Sequence, residues 1–152
     1  MLQLFYRLTF LFGKLIHSIA KDSIGMDVTP LDKVDDVVAC AESVTTVLKK
    51  AGVINRIIAG TWTLENYFLT HMKWEEVFTP KPGDVIMSAT GTSIHGNKVP
   101  FRGHVGIVGD NGIIMANSSL TGLWGAYYSL ATWKKRYVGT GGYQMRFYRF
   151  KF

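Results

Sequence analysis

Helical spacing fills the first half of this chain and strand spacing the second, so the sequence predicts an α+β protein, helices first and strands after. Three observations carry that prediction. Apolar residues recur at helical offsets up to about His71, Pro80-Lys81-Pro82-Gly83 halts the pattern, and β-prone runs separated by glycine turns follow. At 152 residues the chain is long enough for one domain whose core needs no staples. A single cysteine excludes an internal disulfide, and no Cys/His cluster has structural-zinc spacing, so no metal and no cofactor are expected.

The first twenty-one residues read as an amphipathic helix. Gln3, Arg7, Lys14, His17, Ser18 and Lys21 form a polar stripe broken by Phe10, while Leu4, Leu8, Leu11, Phe12, Leu15 and Ile19 face the other way. Arg7 and Lys14 interrupt the apolar run, which falls short of the roughly 18 residues of a membrane span. Such a helix packs on its own domain, docks on a partner protein or lies on a membrane surface. Packing on protein is expected ahead of lipid, although no acidic residue precedes Asp22.

Asp22 to Asp32 is turn-like, with Gly25 and Pro30. The central stretch follows, Asp35-Asp36-Val37-Val38-Ala39-Cys40-Ala41-Glu42-Ser43-Val44. Val44, Val47 and Leu48 trail the cysteine at helical offsets, so Cys40 opens a buried helix that Lys49, Lys50 and Gly52 suit as an end. Asp35 and Asp36 are placed to cap or charge its start. A thiol there feels the positive helix end, which favours the thiolate nucleophile; a buried structural cysteine is the other reading.

Val53 to Ile58 is a short apolar stretch, and Thr61 or Thr63 can cap a helix running from about Leu64 to His71. Trp62, Tyr67, Phe68 and Trp74 read as core or cleft wall, and His71 as a surface histidine. Val85-Ile86-Met87 begins the strand pattern, and the polar segment Ser88 to Arg102 is a loop at a strand end. Gly103-His104-Val105-Gly106-Ile107-Val108 and Ile113-Ile114-Met115-Ala116-Asn117 flank Asp110-Asn111-Gly112, which is strong hairpin chemistry. The hairpin brings His104 beside Asn117, where the imidazole can take the Cys40 proton and the amide can orient it. Leu120 to Tyr128 is rich in glycine and aromatics, Gly139 to Gly142 breaks the chain, and Tyr143 to Phe150 reads as a closing strand.

The net charge of +6 is uneven: after Asp110 come Lys134, Lys135, Arg136, Arg146, Arg149 and Lys151 and no acid. A basic tail suits an anionic partner such as a cell-wall polymer, a nucleic acid or a lipid surface; a solvated face is the alternative.

Ala39-Cys40-Ala41-Glu42-Ser43-Val44, then Pro82-Gly83-Asp84-Val85-Ile86, then Gly103-His104-Val105-Gly106-Ile107-Val108 with Asn117 follow in the order of the NlpC/P60 and CHAP superfamily. From about Asp27 onward the chain resembles those papain-like cell-wall hydrolases. The resemblance implies an α+β fold of N-terminal helices packed on a small antiparallel sheet, residues 23–152 forming the hydrolase domain and residues 1–22 the added helix. It implies a cysteine peptidase or amidase that cuts peptidoglycan amides through Cys40, His104 and Asn117. Asn117 leans toward the CHAP type, and Ala39 stands where NlpC/P60 proteins usually carry Asp. Glu42 and Ser43, in the first turn after Cys40, and Trp62 and Trp124 are candidate substrate-binding residues. The compact form resembles phage lysins or virion-associated wall hydrolases, with the peptidoglycan peptide as partner and no nucleic acid. A second expectation is a structural or binding module docked through Leu4, Leu8, Phe12 and Leu15, and a third is an acyltransferase of the same thiol chemistry.

Overall fold

The computed structural model describes residues 1–29 and 39–152, so Asp35 and Asp36 lie outside the described residues. Three helices come first: α1 (Leu2–Asp22), α2 (Ala39–Lys50) and α3 (Thr61–Thr70). Six strands follow: β1 (Trp74–Val77), β2 (Val85–Ser88), β3 (His104–Val108), β4 (Ile113–Asn117), β5 (Trp124–Ser129) and β6 (Arg146–Phe150). Between β5 and β6 the chain turns through α4 (Leu130–Trp133) and a wide π-type segment, Lys134–Thr140. The strands form one antiparallel sheet in the order β1-β6-β2-β3-β4-β5. The α+β class expected from the sequence is the class observed.

α2 is buried on nearly every side, from Ala39 to Leu48, because α1, α3 and the sheet enclose it. Gly52, at φ 75°, ends it: the Gly52 amide donates to the Lys49 carbonyl and the Val53 amide to the Leu48 carbonyl, the paired bonds of a Schellman stop. Thr45 Oγ1 donates to the Ala41 carbonyl at 2.9 Å and accepts from the Ile58 amide at 3.1 Å, pinning the following segment to the helix. α3 begins differently from expectation. Gly60 is its N-cap, at φ 86°, and the Thr61 hydroxyl accepts instead from the Thr90 amide at 2.9 Å, tying α3 to the loop after β2.

β2, inside the sheet, is buried on both faces, which is why Val85-Ile86-Met87 reads as a continuous apolar run. Val85, Met87, Val105, Ile107 and Met115 join Cys40, Val44 and Leu48 in one core, and Ile86, Val108 and Ile114 join Trp133, Tyr137 and Phe147 in a second. α1 packs into the first core through Ile16 and Ala20. Its Gly13 backbone meets Gly83 so closely that a Cβ on Gly83 would lie 2.1 Å from the Gly13 carbonyl oxygen. Phe12, on the expected apolar side, packs on the domain: its ring lies 5.1 Å from Phe150 and 5.8 Å from Phe152. No described helix is long and apolar enough to cross a membrane.

Candidate active site

Each of the three expected catalytic residues is delivered by the start or end of an element. Cys40 is the second residue of α2, His104 opens β3 and Asn117 closes β4. β3 and β4 turn back on each other at Asp110–Gly112, where Asn111 (φ 53°) and Gly112 (φ 73°) both adopt the left-handed backbone of a tight hairpin. All three side chains line one cavity of about 640 Å³ at this end of the sheet, together with Phe101, Arg102, Tyr128, Arg136 and Tyr137.

The register refines the expected neighbourhood of His104 and Asn117. Ile107 opposes Met115 and Val108 opposes Ile114, so continued outward Val105, not His104, stands opposite Asn117. Asn117 pairs with Trp124, which belongs to the α2-side core. His104 pairs with Ser88 and projects to the other face. There its ring stacks on Trp133 (5.3 Å, 14°) and on Tyr137 (5.6 Å, 27°), with Tyr128 edge-on at 5.9 Å. Ser88 fixes this arrangement, since Trp133 Nε1 donates to Ser88 Oγ at 3.0 Å. The cavity thus wraps the sheet end, with the thiol and the amide on one side and the imidazole on the other. Among the described residues no side-chain hydrogen bond joins Cys40, His104 and Asn117. Asn117 is 3% exposed, and its Oδ1 has no hydrogen-bond partner.

The electrostatics reverse one expectation. Burial pushes the Cys40 thiol up to about 11, although the backbone amides of Ala41, Val105 and Cys40 face the sulfur and pull the other way. Burial also lowers His104 to about 4, helped by the nearby Arg136 cation. The helix-start effect is present but smaller than desolvation, so at neutral pH the pair is thiol and neutral imidazole rather than thiolate and imidazolium.

The expected substrate-binding residues fall elsewhere. Glu42 and Ser43 are buried in the first turns of α2, 1% and 0% exposed, and do not line the cavity. Trp124 is a core residue, its Nε1 donating to the Ala20 carbonyl at 2.9 Å. Trp62 is exposed but borders a separate hollow with Glu65, Asn66 and Arg146. The cavity wall instead comes from Phe101, Arg102, Tyr127, Tyr128, Arg136 and Tyr137. The adjacent basic and aromatic residues Arg136 and Tyr137 are the sequence signal that marks it. Among the described residues no cluster of His, Cys, Asp and Glu has the makings of a metal site. Compared with protein-family models the chain matches none, and no curated protein matches it.

Proposed function

We propose that this chain is a cysteine amidase or endopeptidase of the NlpC/P60–CHAP type, cutting an amide bond in peptidoglycan. The observation that carries the proposal is that Cys40, His104 and Asn117, far apart in sequence, border one cavity large enough for a short peptide. Cys40 Sγ attacks the amide carbonyl as His104 takes the thiol proton. Because both groups are neutral at rest, this proton moves during the attack. This step requires the thiol and the imidazole, which border the same cavity from opposite sides of the sheet end, to meet in the substrate complex. The backbone amides of Cys40 and Ala41, which face the sulfur, are the donors this reading assigns to the oxyanion. His104 then protonates the leaving amine, leaving a thioester on Cys40. Water attacks that thioester with His104 as base and frees the acid and the thiol. Asn117, on the thiol side of the sheet end and with an unpartnered Oδ1, is the third residue of the proposed set.

Such an enzyme works at the bacterial cell wall, in the manner of a phage-encoded lysin, and uses no cofactor. Purified peptidoglycan treated with the wild-type chain is expected to lose turbidity and release amines, whereas Cys40→Ala at equal folded concentration does neither. Equal release by both removes Cys40 from the chemistry. The second reading, a module held in a larger assembly by α1, is favoured by the exposure of Leu4 and Leu15 beside half-buried Leu8. It gains if the wild type digests no wall type.

A further inference from the structure

Of the six bases that follow Asp110, three are matched by acids within the fold. Arg146 lies 3.7 Å from Glu76, Arg149 2.7 Å from Asp84 and Lys151 3.9 Å from Glu75. Lys134, Lys135 and Arg136 have no acidic partner among the described residues, and all three sit on the π-type segment that borders the Cys40 cavity. Arg102 joins them from the loop before β3, also without an acidic partner. The cavity lining among the described residues includes two arginines and no carboxylate. Arg136 is preorganised, its guanidinium 4.2 Å from the centre of the Phe101 ring and 5.7 Å from that of Tyr137.

We infer that Arg102 and Arg136 set specificity by binding a carboxylate of the peptide whose amide Cys40 attacks, so the preferred substrate is an anionic peptide. This rests on the proposed hydrolase function and names the substrate class of that site. A planar guanidinium takes a carboxylate through two parallel hydrogen bonds, which orients the peptide as well as holding it. With thiol and imidazole both neutral, nothing within the catalytic pair competes for the arginines.

The test is equilibrium binding to full-length Cys40→Ala, which holds substrate without cutting it. Two synthetic stem peptides are compared, one with free carboxylates and one with the same carboxyls amidated. The free form should bind roughly tenfold tighter or more, and added salt should erode that preference. Arg102→Gln with Arg136→Gln should abolish the preference. Arg136→Lys, which keeps the charge but not the fork, should retain part of it. Lys50→Gln, at the far end of α2, should leave it unchanged, and melting curves establish that each variant is folded. Equal binding of the two peptides, binding of neither, or a preference that survives the double substitution overturns the inference. Binding is read without cleavage, so these outcomes stand apart from wall digestion, whose failure would strike the hydrolase proposal and leave a carboxylate-binding cavity.

Discussion

Cys40 and His104 illustrate how burial outweighs a helix end. The sequence places the thiol where a thiolate is favoured, and its backbone amides do favour it, yet the enclosing core raises it to about 11. Alkylation of Cys40 by iodoacetamide should therefore be slow at pH 7 and accelerate only as pH approaches that value. Fast labelling at neutral pH would show a preformed ion pair. His104 gives the opposite stability signature. The unfolded imidazole binds its proton below about 6.5 and the folded one only below about 4, so stability present at neutral pH is lost as pH falls through that window. Urea midpoints measured from pH 7 to 4 should fall, and His104→Gln should flatten that slope. The chemistry of Cys40, His104 and Asn117 was legible as residue types at element ends. The one-residue offset of Asn117 from His104 was not, because register depends on pairing that no single strand encodes.

At the scale of elements, α1, α2, α3 and the β3–β4 hairpin were readable because their signals are local: helical offsets, a Gly52 stop, an Asp-Asn-Gly turn. β1 and β5 were not, since β1 is only four residues long, β5 lies in a stretch rich in glycine, and each acquires its strand character from a partner, β6 for β1 and β4 for β5. The closing strand was foreseen at the end of the chain but lies inside the sheet, between β1 and β2. Its Arg149 explains this position. Arg149 Nε donates to Asp84 Oδ1 at 2.8 Å and Nη2 to Oδ2 at 2.7 Å, while Asp84 also accepts from the Lys81 amide at 2.7 Å. The aspartate of Pro82-Gly83-Asp84 therefore clamps β2 to β6. Asp84→Ala leaves the guanidinium without its partner and should cost about 3 kcal/mol in urea unfolding. A loss below about 1 kcal/mol would mean the clamp is dispensable.

Across the whole molecule, α1 serves two surfaces with one helix. Ile16 and Ala20 are buried in the common core, and Trp124 Nε1 holds the Ala20 carbonyl. Leu4, Phe10, Leu11 and Leu15 stay exposed, so the apolar side read from the sequence is wider than the face the domain covers. Ile16→Ala should destabilise by about 2–5 kcal/mol, and Leu11→Gln by no more than about 0.5 kcal/mol, in denaturant titrations. The two together separate the packed stripe from the free one.

In the proposed mechanism Cys40 carries an acyl group, and the most direct measurement is the intact mass of the protein quenched during reaction with a peptidoglycan stem peptide. The mechanism predicts a mass increase equal to the acyl fragment less one hydrogen, located on Cys40 and removed by hydroxylamine as a thioester is. Amide cleavage with Cys40 unmodified throughout, or cleavage that persists in Cys40→Ala, would contradict it.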